Sequence, residues 1–285
     1  MISRRIATIA ASAPGYPQGL RDLAIVPDPI FAIGDLGILE MPLVSIVGTR
    51  DATAYGLRTA RSIATALAKA GVGIVSGMAR GIDAAVHLAA LDAGGSTVAV
   101  LGTGIDVPYP VGHTELHRII CERGLVISEN PPGATAHKGS FPKRNRIIAA
   151  LGKATIVVEA GHKSGALNTA RHALELDRTL AAVPGNIDSP ESAGTNLLLR
   201  DGAAVIASVE DALAIAGVPG AEQEAPLQLG DADGRVWATL GGETLSVDLV
   251  ASRASLSTRD CLAAITSLEL AGMVESLVTG EVRRR

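Results

Sequence analysis

Aromatic side chains are scarce: the chain has one Trp, three Tyr and two Phe among 285 residues. With 47% apolar residues and 32 Gly, its core must be built from aliphatic side chains and tight turns. That argues for an α/β fold over an all-β sandwich. Cysteine is nearly absent. Cys121 and Cys261 lie far apart and follow no metal-ligand spacing. Each reads as a small core residue in a reducing, cytoplasmic setting, and no metal is expected. Arg, Lys, Asp or Glu interrupts every long apolar stretch, so no membrane contact is expected. Arg4 and Arg5 precede the apolar run Ile6–Ala11, and Ala11-Ser12-Ala13 has cleavage-site form. That run is about half as long as a signal-peptide core, so no leader is expected.

An overall basic excess is also missing, since the net charge is −4. Its distribution is uneven. Thr135–Arg171 holds seven cations (Lys138, Lys143, Arg144, Arg146, Lys153, Lys163, Arg171) against one acid, Glu159. From Ala221 onward there are six Arg and ten Asp or Glu, a net of −4. Local charge decides where a polyanion binds, so the middle of the chain is the candidate and the acidic C-terminal piece is not.

Short apolar, β-branched runs recur at Val44–Gly48, Val72–Ser76, Thr97–Leu101, Leu125–Ser128, Thr155–Glu159, Thr179–Val183 and Ala204–Ala207. Helical patterns lie between them at Leu57–Ala70, Ile82–Ala93, Glu115–Arg123, Arg144–Leu151, Gly165–Leu176 and Val209–Ala216. Strands apolar on both faces that alternate with helices predict a doubly wound, Rossmann-like parallel sheet. Ligands of such sheets bind beyond the carboxyl ends of the strands. We divide the chain into a short N-terminal segment packing on the core (1–40), the Rossmann-like domain (41–218), a Pro/Gly/Glu/Gln-rich linker (219–230) and a small domain (231–285). Helical patterns at Arg235–Leu240, Val247–Ser252 and Thr258–Ala271, the last with Ser257 as a cap, precede a hairpin at Met273–Leu277 and Glu281–Arg284. Three helices and a hairpin predict a winged helix.

The strand ends carry the candidate chemistry. Gly48-Thr49-Arg50 closes the first strand. A Gly there lets a phosphate approach the backbone and an Arg can fork onto it, although a plain turn with a solvated Arg reads equally well. The stretch is not G-x-G-x-x-G, so no dinucleotide cofactor is expected. Gly77 and Gly81 flank Arg80 at a helix start, where free N–H groups favour an anion. Asp83 and His87, at i and i+4, suggest a structural hydrogen-bonded pair. Gly102 and Gly104 are expected to shape the cleft floor, with Tyr109 read as loop packing. Phe141-Pro142-Lys143-Arg144-Asn145-Arg146 reads as a Pro-fixed helix start whose first turn carries three cations. That arrangement opposes the helix dipole and calls for an anion. Phe141 beside those cations fits a base stack plus phosphate contacts, with a core Phe as the alternative. Backbone amides at Ser164 and Gly165, next to Lys163, are further phosphate donors.

Taken in order, these motifs resemble the bacterial DprA/Smf family of DNA-processing proteins. They are Gly48-Thr49-Arg50, Ser76–Asp83, Gly94–Asp106 with Tyr109-Pro110, Phe141–Gly152, Val157–Ala160 with Lys163–Ala170, Ala182–Gly185 and Gly194–Ala203. The resemblance covers roughly Tyr16 to Ala216, and Ile265–Val274 is similar to the winged helix that many members append. It implies a cytoplasmic, non-catalytic homodimer that binds single-stranded DNA, protects incoming strands and loads the RecA recombinase during natural transformation. No cofactor or small-molecule substrate is implied. Arg50, Lys138, Phe141, Arg144 and Lys163 fall on the family's DNA-contacting surface, Asn145 and Arg146 belong to the same motif, and Leu197, Leu198 and Leu199 lie in its self-association region. The family's usual N-terminal helical domain is not expected ahead of residue 41, and Thr49 and Asn130 replace its usual Ser and aromatic. The rival reading is a Rossmann-like phosphoribohydrolase, which needs a Glu three residues after a Gly-Thr loop. Here His172 follows Thr169 and Leu198 follows Thr195 at that spacing, which weighs against it.

Overall fold

The computed structural model describes residues 6–137, 139–218, 230–241, 244–277 and 280–284. The chain forms two compact units, Met1–Gly220 and Ala221–Arg285. The expected linker falls almost wholly outside the described residues.

Nine strands make the sheet of the first unit: β1 (Ala7–Ile9), β2 (Ile30–Gly34), β3 (Leu43–Val47), β4 (Gly73–Ser76), β5 (Thr97–Leu101), β6 (Leu125–Ser128), β7 (Ala154–Val157), β8 (Thr179–Ala182) and β9 (Ala204–Val205). Their order is β1-β2-β6-β5-β4-β3-β7-β8-β9. All seven predicted strands are present and parallel. The N-terminal segment does more than pack on the core. Its β2 pairs antiparallel with β6, and β1 with β2. β1 escapes the sequence because it is short and partly exposed, which blurs the apolar signal, whereas β2 is a mostly buried five-residue apolar run that the strand pattern above does not include.

The helices are α1 (Gln18–Arg21), α2 (Ala54–Lys69), α3 (Ile82–Asp92), α4 (Thr114–Arg123), α5 (Ser140–Leu151), α6 (Ala166–Glu175), α7 (Ala193–Arg200) and α8 (Val209–Ile215). Side chains alternate across each strand. Val47, Val75 and Val157 therefore join Ile147, Ile148 and Ala170 in one layer, while Ile46, Ile74 and Ile156 join Ile63, Leu67 and Val86 in the other. Both strand faces are thus buried, which is why the strands read as continuous apolar runs.

Helix α5 starts at Ser140, four residues before the predicted start. Pro142 sits inside its first turn, where a missing N–H costs nothing. Lys143, Arg144 and Arg146 fall behind that turn, so the expectation that three cations crowd a helix N-terminus is corrected. The chain runs from β3 through β4 and β5 to β6 on one side, then returns to the other side of β3 as β7, β8 and β9. The reversal opens a crevice at the carboxyl ends of β3 and β7, where open α/β sheets place their ligands.

The second unit is the predicted winged helix. Helices α9 (Asp231–Leu240), α10 (Val247–Ala254) and α11 (Thr258–Leu270) pack with β10 (Leu245–Ser246), β11 (Val274–Ser276) and β12 (Glu281–Arg284). The core holds Val236, Leu240, Val250, Cys261, Ile265 and Leu268. Ser257 caps α11 by accepting from the Asp260 N–H at 3.2 Å. Among the described residues no helix is long and apolar enough to cross a membrane, and no group of three His, Cys, Asp or Glu could hold a metal.

Candidate functional site

A cleft of about 510 Å³ fills the crevice, lined by Gly48, Thr49, Arg50, Asp83, Phe141, Arg144, Asn145, Lys163, Ser164 and Gly165 among others. Its walls need glycine. A Cβ at Gly48 would collide with the Ile82 side chain. Gly81 has φ of +76°, and a Cβ there would strike the Thr49 carbonyl. Thr49 donates its N–H to the Glu159 carbonyl at 2.7 Å and accepts from the Ile82 N–H at 3.3 Å. The loop that carries Arg50 is therefore clamped between β7 and the start of α3.

Arg144 is the largest departure from the sequence reading. It lies 5% exposed, in the floor of the cleft rather than on an open DNA-contacting surface. Its guanidinium donates to the Gly77 carbonyl at 2.7 Å, to the Val100 carbonyl, and to Asn145 Oδ1 at 3.3 Å. Burial pulls its pKa down to about 10, with Arg50 adding repulsion and Asp83 opposing both. Gly77 lets this happen: a Cβ there would sit 2.7 Å from Arg144 Nη2 and 2.8 Å from Asp83 Oδ2. Asp83 does not pair with His87. Its Oδ2 accepts from the Gly77 and Ala79 N–H groups at 3.1 and 3.4 Å, and burial pushes its carboxyl up against the pull of Arg144 and those amides. His87 meets Thr97 Oγ1 at 2.6 Å instead.

The remaining expected cations divide. Arg146 is spent on the Ile25 carbonyl (2.8 Å) and Glu129 (2.5 Å), and Lys143 also meets Glu129 at 3.1 Å. The basic stretch is thus partly neutralised by an acid just outside it. Arg50, Arg80 and Lys163 are exposed and make no ion pair among the described residues. Lys138 lies outside the described residues.

Phe141 is half-buried in the cleft wall and is not a core residue. Its ring packs on Tyr109 with centroids 4.8 Å apart, and the Arg50 and Arg144 guanidinium carbons stand 5.7 and 5.9 Å from its centroid. Tyr109 therefore packs, but on the cleft aromatic rather than within its own loop alone. A chamber of about 200 Å³ continues the cleft past Phe141 to Tyr109, Pro110, Gly77 and Arg80. Nothing in the sequence signalled the pair, because the two rings are 32 residues apart.

At the opposite wall, the Ser164 N–H is used by the Gly161 carbonyl at 3.0 Å, so it is not a phosphate donor. Among the described residues the Gly165 N–H makes no hydrogen bond. The Asn145 side chain donates to the Gly165 carbonyl at 3.2 Å and ties α5 to this loop. Gly102 lies under Phe141, while Gly104 packs against the 131–134 loop, away from the cleft lining. Leu197, Leu198 and Leu199 are half-buried on α7, with Leu198 resting against the core of its own chain.

This arrangement matches known proteins. Residues 7–217 match the family described as DNA recombination-mediator protein A, and residues 220–278 match the DprA winged helix domain. A DprA homologue from Mycobacterium tuberculosis is 40% identical over 259 residues, which cover 86% of this chain and 66% of that one. This chain thus spans just under two thirds of that relative's length. The X-ray structure of DprA from Streptococcus pneumoniae superposes with a TM-score of 0.71 at 39% identity, covering 74% of each chain. The Helicobacter pylori DNA processing protein A, solved for its single-stranded DNA binding mode, gives 0.67 at 32% identity over 73% of this chain and 94% of that one.

Proposed function

The chain belongs to the DNA recombination-mediator protein A family, and on that footing we propose that its switch-point cleft grips single-stranded DNA without catalysing a reaction on it. One observation carries the reading: a half-buried aromatic, Phe141, is set in the cleft wall beside exposed cations that make no ion pair among the described residues. Phosphates take Arg50, Arg80, Lys163 and the Gly165 N–H, and a base stacks on Phe141 or Tyr109. Lys138 joins the cations by family resemblance. Arg144, Asp83 and Asn145 build the floor and hold the loops. The finer roles of protecting incoming strands, loading RecA and acting as a homodimer are proposals that rest on family membership.

The two kinds of contact separate by salt. Each phosphate contact to a single strand releases about 0.7 of a counterion. Arg50→Ala, Lys138→Ala or Lys163→Ala should flatten the slope of log K against log salt by about that amount. Phe141→Ala should weaken binding by about 1–3 kcal/mol and leave the slope alone. Fluorescence anisotropy at several salt concentrations reads both effects. Unchanged slopes in all three cation variants would overturn the cleft as the binding site.

A further inference from the structure

A second cleft, of about 550 Å³, opens beside the first and is lined by Thr53, Tyr55, Glu159, Pro184, Gly185, Asn186, Ser189 and Ser192. It lies past the carboxyl ends of β7 and β8, on the other side of the residue 49–53 loop from the first cleft. The 49–53 loop separates them, giving Thr49, Arg50 and Asp51 to the first lining and Thr53 to the second.

The chemistry of the second cleft differs. Tyr55 is 43% exposed, and its hydroxyl donates to the Pro184 carbonyl at 3.0 Å, which fixes the ring as a wall. The opposite loop is held by reciprocal bonds between Asn196 and the Gly185 backbone at 3.1 Å. A side chain on Gly185 would strike Ser192, so this loop needs glycine to stay closed over its neighbour. At the floor lies the Glu159 carboxylate, 2% exposed, which accepts from the Thr53 N–H at 2.8 Å and the Thr53 hydroxyl at 2.6 Å. A carboxylate can accept about four hydrogen bonds, and among the described residues these two are made. The lining holds no cation, and a negative group at the floor repels phosphate. A flat, uncharged ring that donates hydrogen bonds from one edge fits all of these features.

We propose that this second cleft is a nucleobase pocket: a base stacks on Tyr55 and turns an N–H-bearing edge toward Glu159. Guanine fits best, because N1–H and the exocyclic amine lie side by side on one edge and can both donate to an acceptor. The proposal rests on the single-strand reading above. The strand would cross the 49–53 loop, leaving its phosphates with Arg50 on one side and placing a base on the other. It adds a base preference to a phosphate-dominated grip.

The test uses the full chain and three fluorescent oligonucleotides: all-dT, dT interrupted by isolated dG, and the same strand with inosine, which lacks the exocyclic amine. The wild type should bind the dG strand about tenfold tighter than all-dT, the usual weight of a hydrogen bond to a charged group, with inosine in between. Tyr55→Ala should erase the preference and weaken every strand about tenfold at an unchanged salt slope. Glu159→Gln should also erase the preference, at some cost in stability because the amide offers one acceptor oxygen where the two Thr53 donors use two. If that variant fails to fold, Tyr55→Ala, altered only at an exposed ring, still decides. Wild-type protein that binds all three strands equally, or a folded Tyr55→Ala protein with wild-type affinities, overturns the pocket. Wild-type protein that binds no strand overturns the single-strand reading itself, so the two failures are distinct.

Discussion

Buried polar residues under the cleft set how this protein responds to pH and to substitution. The Thr97 hydroxyl donates to the Ile74 carbonyl at 2.9 Å, so His87 Nδ1–H must be the donor to Thr97. That leaves His87 Nε2 buried with no partner. Burial, then the charges of Arg144 and His113, lowers its pKa from 6.5 to about 3. The unfolded chain binds a proton between those values that the folded chain refuses. Stability is therefore full above pH 6.5 and falls as the pH drops toward 3, with a slope of up to about 1.4 kcal/mol per pH unit. His87→Leu should remove that component, seen as a flatter loss of urea stability between pH 6.5 and 4. Arg144→Ala should cost about 3–5 kcal/mol of stability, because it strands buried carbonyls and leaves Asp83 uncompensated. Thermal melting would read this, and a variant as stable as wild type that only flattens the salt slope would return Arg144 to the DNA surface.

At the scale of elements, α5 couples the cleft's two walls. Its N-terminal turn presents Phe141, its second turn inserts Arg144 under β4 and β5, and Asn145 ties it to the loop before α6. Asn145→Ala removes the bond to the Gly165 carbonyl and the one accepted from the Arg144 guanidinium, a loss of about 2–4 kcal/mol of stability. It also frees the loop that offers the Gly165 N–H. Binding should weaken severalfold and the melting temperature should fall by several degrees, and anisotropy on the folded variant with parallel melting curves checks this. The helix α7 makes a separate point. Leu198 rests on its own core, so a charge there would test folding as much as association. Leu197 is the cleaner site: if this face self-associates, Leu197→Glu should run as a monomer in light scattering.

For the whole molecule, charge is partitioned between the two units. The first unit carries the exposed cations of the cleft, while residues 221–285 hold a net of −4. A chain ending at Gly220 keeps a complete set of core layers and should fold alone, binding single strands within a few fold of the full chain. A large loss of affinity in that truncation would show that the winged helix takes part in the grip.

The sequence by itself determined the parallel strands, the helices between them except α7 (Ala193–Arg200), the winged helix and the glycine loops. Those follow from local periodicity and from turns that only glycine can make, and both are written in neighbouring residues. It also marked Arg50, Phe141 and Lys163 as cleft residues through their place at strand and helix ends. Only the tertiary structure decided which cations face solvent. Arg144 and Lys143 are adjacent in the chain, yet one is buried beneath Gly77 and the other is exposed beside Glu129. Helix phase and the distant strands that a helix packs on set that difference, and composition carries no record of either. The pairing of Tyr109 with Phe141 and the meeting of Thr53, Tyr55 and Glu159 around a second cleft have the same origin. Each joins residues far apart in sequence, and only the winding of the sheet brings them together.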